Sequence, residues 1–240
     1  MLINCDVKSL EVVTAAYLSN DSELCREVKD QTDFHALNQK RFVLPNRTIA
    51  KIFMFKLIYG ATAWGYAHDG DFISVSTSEK FWQRVIDEYY NKYKGIWKWH
   101  RDLVQSALSS GLYVSPTGRT YNYPSSDIPR RLWFWRPKIL NYPVQGLGAD
   151  LVMLARISFW NRLKQMNLKN VLPCSSVHDS IVVDVDNDQG LCYTICKILK
   201  NCVEDVPTNF KRVFGIEFNL PLTAEVKLGQ NLQQMELIKC

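Results

Sequence analysis

The stretch "SSVHDSIVVDV", residues 175–185, limits the folds open to this chain more than any other segment. Val177, Ile181, Val183 and Val185 recur as in a buried strand, yet His178 and Asp179 stand side by side within the run. A carboxylate sunk in a core costs several kcal/mol unless it is paired. Two arrangements remain: a tight turn that lifts the pair out of the core, or a charge with a partner such as a metal ion. The wider segment "VLPCSSVHDSIVVDV" reads as strand, turn, strand, which puts His178 and Asp179 at an exposed hairpin tip. Asp at a turn is ordinarily turn chemistry and nothing more.

The rest of the chain alternates helices with a few strands. "MLINCDVKSLEVVTAAYLSND" opens as a short apolar strand leading to Asp6, then takes helical spacing through Leu10, Val13, Ala16 and Tyr17. "RTIAKIFMFKLIYG" has a helix start after Pro45 and Asn46 and a stop at Gly60. Residues 78–110 read as one or two amphipathic helices capped by Thr77 or Ser78, and "GLYVSPTGRTYNYP" as a hairpin turning at Pro116 to Gly118. A helix over 144–167, another near 188–203 and a last strand around "LPLTAEVKLG" complete an α+β layout with mostly antiparallel strands.

At 240 residues and 47% hydrophobic, the chain can bury one large core or two small ones. Its formal charge of +5 leans toward a polyanionic partner without deciding for one. Seven cysteines, with no signal-peptide layout ahead of them, read as free thiols in a reducing, cytoplasmic setting. Cys192 and Cys196 lie one helical turn apart and suit a buried helix face better than zinc. No apolar run approaches a membrane span, so no membrane partner is expected.

Two constellations carry chemistry. Asp6 and Asp179 both lie at strand ends and could meet at one sheet edge. Carboxylates held together repel unless cations sit between them, and Mg²⁺ ions on such a pair serve in-line phosphoryl transfer. Arg47, Lys51, Phe55 and Tyr59 recur every four residues and form one slowly drifting helical stripe. Cations followed by rings suit a nucleoside triphosphate. The same stripe also suits a half-buried helix with Phe55 and Tyr59 in the core, and spacing alone leaves both readings open.

At these residues the chain resembles family A DNA polymerases of the bacterial DNA polymerase I and phage replicative type. "RTIAKIFMFKLIYG" looks like the fingers helix, with the pattern R-x3-K-x3-F-x3-Y-G. "CDVKSLEVVTAAYLSND" and "VHDSIVVDV" resemble the two metal motifs. "TDFHALN" is similar to the Asp-x-His element, "PTGRTYNYP" to the Gly-Arg hairpin, "NYPVQGLGADLV" to the N-x-P-x-Q-G-x-x-A-D helix start and "LPLTAEVKLGQNL" to the closing strand. The resemblance implies a right-hand polymerase palm, an antiparallel sheet with packed helices, plus helical fingers. Palm would occupy 1–24 and 136–240, and fingers 25–135.

The resemblance also implies roles. Asp6 and Asp179 would hold two Mg²⁺ ions, for which Mn²⁺ can substitute. His35, Arg47 and Lys51 would bind the triphosphate, with Lys51 a proton donor to pyrophosphate. Glu11 would crowd the sugar 2′ position, Phe55 would pack near its 3′ position, and Tyr59 would lie at the templating base. Arg119, Asn141 and Gln145 would touch primer–template DNA, and His178 the primer terminus. Departures from the pattern are Ser180, where bacterial relatives carry Glu, and Val13, where an Arg is common. The basic, aromatic "RRLWFWRPK", residues 130–138, reads as a loop suited to nucleic acid. The family's thumb and 3′–5′ exonuclease have no counterpart ahead of Asp6, which implies a split enzyme whose separate partner chain supplies them. Two other readings are a single-subunit RNA polymerase, which Glu11 and Phe55 disfavour, and a non-catalytic DNA-binding subunit, which the retained carboxylates disfavour.

Overall fold

The computed structural model describes residues 1–123 and 129–240, with backbone alone for 129–133. In chain order the elements are β1 (Leu2–Val7), α1 (Leu10–Ser19), α2 (Ser22–Lys29), α3 (Phe34–Arg41), α4 (Arg47–Ile58), α5 (Ala63–Ala67), α6 (Glu79–Lys92) and α7 (Lys94–Ser110). There follow β2 (Leu112–Val114), β3 (Thr120–Asn122), α8 (Pro129–Gln165), β4 (Val171–Val177), β5 (Ser180–Val185), α9 (Gln189–Glu204), α10 (Val206–Phe214), β6 (Ala224–Asn231) and β7 (Gln234–Leu237). Two compact units result, one of Met1–Leu10 with Gly146–Cys240, the other of Glu11–Gln145.

The first unit is built on an antiparallel sheet in the order β4-β5-β1-β6-β7. Strand β1 is central, and its period-two pattern buries Ile3, Cys5 and Val7 while Asn4 and Asp6 stay half-buried. Helix α9 packs on β1 and β6 with Ile195, Cys196, Leu199 and Cys202 buried. Cys192 and Cys196 thus lie on a buried helix face, and burial pushes the Cys196 thiol up to about 12.

In the second unit the core is aromatic. Phe53 packs at 5.0 Å from Tyr66 and 6.1 Å from Trp82, measured between ring centroids. The polar tips of these rings are satisfied: Trp82 Nε1 donates to the Ser76 carbonyl at 2.8 Å and the Tyr66 hydroxyl to the Phe53 carbonyl at 2.7 Å. Residues 78–110 resolve into two helices, and Ser78 caps α6 by accepting from Phe81 N. Buried Asp21 caps two helices at once. Its Oδ1 accepts from Leu24 N at 2.8 Å in α2, and its Oδ2 from Gly95 N at 2.6 Å in α7. A Cβ on Gly95 would stand 2.6 Å from the Asp21 Cα, so only glycine allows this approach.

One expectation is corrected. The helix expected over 144–167 begins at Pro129, so residues 130–138 are helical rather than a loop. Pro137 and Pro143 lie inside α8 and mimic helix breaks in the sequence. No helix among the described residues is long and apolar enough to cross a membrane.

Candidate active site

Asp6 and Asp179 come together at one end of the first unit's sheet. Asp6 stands opposite Ser180 in the β1–β5 pairing, and Val7 N–H donates to the Asp179 carbonyl at 3.1 Å. The β4–β5 turn consists of His178 and Asp179, the former exposed and the latter half-buried rather than fully exposed. His178 adopts φ +54°. A non-glycine residue in that region costs about 1–3 kcal/mol, which the tight turn imposes here as helix ends do at Asn20, Gln31 and Asn167. Ser180 closes the turn, its hydroxyl donating to the Val177 carbonyl at 2.9 Å. Serine therefore replaces a third carboxylate with a hairpin clasp. The donor set left is two carboxylates, Asp6 near the end of β1 and Asp179 in the β4–β5 turn, and no cluster of three His, Cys, Asp or Glu ligands occurs among the described residues. That suits Mg²⁺, which takes one or two carboxylates and fills its shell with water and phosphate oxygens.

In the second unit, α4 buries Ala50, Phe53, Met54, Leu57 and Ile58 and leaves the Arg47–Lys51–Phe55 side open. The stripe is therefore not a core face. Phe55 and the Tyr59 cap are half-buried, while Arg47 and Lys51 are exposed. Lys51 Nζ lies 5.5 Å from the Phe55 ring centroid, within cation–π range. The His35 ring packs on the same Phe55 at 5.7 Å. Arg47 is aimed by Asp33, whose Oδ2 accepts from its Nε at 2.9 Å, and Asp33 Oδ1 also caps α3 through Ala36 N at 3.0 Å. The Arg47 hydrogen bond holds the Asp33 carboxyl below the usual carboxylate range.

His35 is buried at 3% exposure, and its Nδ1 has no hydrogen-bond partner. Burial first, then the Arg47 and Lys51 charges, bring its pKa down to about 4. A neutral imidazole that carries its proton on Nδ1 has a donor there with no partner inside the protein.

The C-terminal end of α4 is fixed by its neighbours. Gly60 takes φ +85°, and a Cβ there would meet Leu140 Cδ1 at 2.7 Å. Arg136 Nη1 donates to the Gly60 carbonyl at 2.6 Å, so this member of the 130–138 stretch packs against protein. Gln145 Nε2 donates to the Tyr59 hydroxyl at 2.5 Å, joining two of the expected site positions. Asn141, one turn earlier on α8, is half-buried. Arg119 is exposed at the β2–β3 turn, where Ser115 N donates to its carbonyl at 2.8 Å. Glu11 lies in the first turn of α1. The sequence reading singled out neither Asp33 nor Arg136 as a positioning residue. Asp33 carried a signal all the same: an aspartate three residues ahead of a helical amide is an N-cap.

With the carboxylate pair and the α4 side in place, the comparisons with known proteins fix the class. The description "DNA polymerase family A" matches residues 1–234, and the chain belongs to that family. DNA polymerase I of Caldicellulosiruptor bescii is 26% identical over 96% of this chain and 26% of its own length. The DNA polymerase of Bacillus phage SP01 is 26% identical over 77% of this chain and 20% of its own. The chain thus spans about a quarter of the length of the curated relatives it matches. Among solved structures, the POL domain of Pol1 from M. smegmatis, in complex with DNA primer-template and dNTP, has the same fold. The TM-score is 0.81 at 21% identity, covering 95% of this chain and 39% of that one.

Proposed function

We propose that this chain carries out template-directed DNA synthesis, transferring a nucleotide from a dNTP to a primer 3′-hydroxyl. The observation that carries the reading is that Asp6 on β1 and Asp179 in the adjoining β4–β5 turn lie at one end of the sheet, held by the Val7 to Asp179 bond and the Ser180 clasp. Asp6 and Asp179 would hold two Mg²⁺ ions, or Mn²⁺ in their place. Such ions, when bound, lower the pKa of the primer hydroxyl and neutralise the triphosphate.

The remaining roles belong to the protein's own groups. Arg47, Lys51 and the His35 Nδ1–H bind phosphate oxygens, and the orphaned state of that nitrogen supports the assignment. Lys51 donates a proton to the departing pyrophosphate. Phe55 packs near the sugar 3′ position and Glu11 excludes a 2′-hydroxyl, which selects deoxynucleotides. Tyr59 lies at the templating base, and Gln145, which donates to its hydroxyl, touches the primer–template. Arg119, Asn141 and His178 bind the primer–template, His178 at the primer terminus. The palm consists of 1–24 and 136–240, and the fingers of 25–135.

Single-nucleotide addition tests the reading, using four primer–templates that differ only in the templating base and equimolar dNTPs and rNTPs. Addition of the complementary dNMP in each case is expected. Addition indifferent to the template base, or preference for rNMP, would overturn it.

A further inference from the structure

Away from the residues assigned above, the second unit carries an open groove of about 710 Å³ along α6 and α7. Its lining includes Tyr90, Asn91, Lys94, Trp97, Lys98 and Arg101. Lys94, Lys98 and Arg101 follow one another at helical spacing along one side of α7, spanning roughly 10 Å of helix axis. Trp97 is 47% exposed among them, and the Arg101 guanidinium lies 4.7 Å from its ring centroid. Two acids temper the charge. Asp87 accepts from Gln83 at 2.8 Å, and Asp102 pairs with both Lys98 and Arg101 at 2.8 Å. These pairs are solvent-exposed and weak, so a phosphate can compete for the cations while the pairing holds them in a row. The floor is rigid: the Tyr90 hydroxyl meets His100 Nδ1 at 3.1 Å.

We propose that this groove binds unpaired single-stranded DNA, with the three cations tracking phosphates and Trp97 stacking on a base. The class follows from cations interleaved with an exposed ring, the combination that grips single strands without reading sequence. The inference rests on the DNA-synthesis reading, in which a stretch of template is unpaired ahead of the primer. The groove belongs to the same packed cluster as Arg136, which holds the Gly60 end of α4. A template strand lying there would be anchored to the body that carries Tyr59.

The test uses a fluorescein-labelled single-stranded dT12 and measures anisotropy for the wild type, Trp97→Ala and the triple variant Lys94→Gln/Lys98→Gln/Arg101→Gln. All four positions are exposed, so the fold should survive. Binding weakened about tenfold or more by each variant is expected, at the about 1–3 kcal/mol per stacked base seen elsewhere. The triple variant should also lower the slope of log affinity against log salt by roughly 2, at about 0.7 per phosphate contact. Wild-type affinity in both variants, or no binding by the wild type, would overturn the proposal and turn attention to an acidic protein segment. Single-nucleotide addition on a template with a two-nucleotide overhang is run in parallel. Its failure in the wild type would strike the synthesis reading, whereas the dT12 comparison alone decides the groove.

Discussion

Lowering the pH from 7 to 5 should remove about 2 kcal/mol of folding stability through His35 alone. The folded protein buries this imidazole beside Arg47 and Lys51, which brings its pKa from 6.5 to about 4. An unfolded chain takes up the proton near pH 6.5, the folded one only near 4, so protons favour unfolding between those values. The contribution is therefore whole above about pH 6.5 and is lost as pH falls toward 4. The full interval is worth about 3 kcal/mol, of which about 2 is gone by pH 5. His100 acts in the same direction, since burial and then Arg136 bring its pKa to about 3. Urea unfolding at pH 7, 6 and 5 measures the effect, with His35→Gln and the His35→Gln/His100→Gln double variant as controls. Each substitution should flatten the pH dependence by about 2 kcal/mol at pH 5. A wild type equally stable at pH 7 and 5, or a slope that survives in the double variant, would refute the buried, neutral imidazole.

Three other outcomes are expected. Asp21→Ala should cost about 3 kcal/mol in denaturant unfolding, because it removes one N-cap and strands the amides at the start of α7; a loss below about 1 kcal/mol would show that water replaces the carboxylate. Arg47→Ala should raise the KM for dNTP at least tenfold, since a charge-assisted hydrogen bond is worth about 1.5–3 kcal/mol, and Asp33→Asn should raise it less by loosening the guanidinium; an unchanged KM in Arg47→Ala would remove it from the phosphate site. The wild type should discriminate against ddNTPs and Phe55→Tyr should relax that preference, while Glu11→Ala should admit rNTPs; equal use of ddNTPs and dNTPs by the wild type would refute the Phe55 role.

Local patterns made much of this structure legible in the sequence. The period-two run of β1, the β4–β5 hairpin and the capped α4 each declare themselves within a dozen residues, and each appears where the pattern places it. Helix α8 runs longer than its sequence pattern predicts because Pro137 and Pro143 look like breaks, although a long helix can absorb them when its neighbours pack around them. Long-range partnerships were invisible. Asp21 reaching Gly95, and Arg136 reaching the Gly60 carbonyl, join residues more than 70 positions apart and leave no periodic trace. The stripe on α4 could be read as core or as binding face until the burial of Phe53, Met54 and Leu57 settled which side is packed. The orphaned Nδ1 of His35 could come only from three dimensions.

The central claim is that Asp6 and Asp179 make this chain a DNA-synthesising enzyme. Primer extension under enzyme excess, with Mg²⁺ and dNTPs, tests it most directly when wild type and Asp179→Asn are compared and primer–template binding is measured for both. Template-directed addition by the wild type, lost in Asp179→Asn while DNA binding is kept, is the predicted result. Equal extension by the two proteins, or a wild type that binds primer–template and adds no nucleotide, would contradict it.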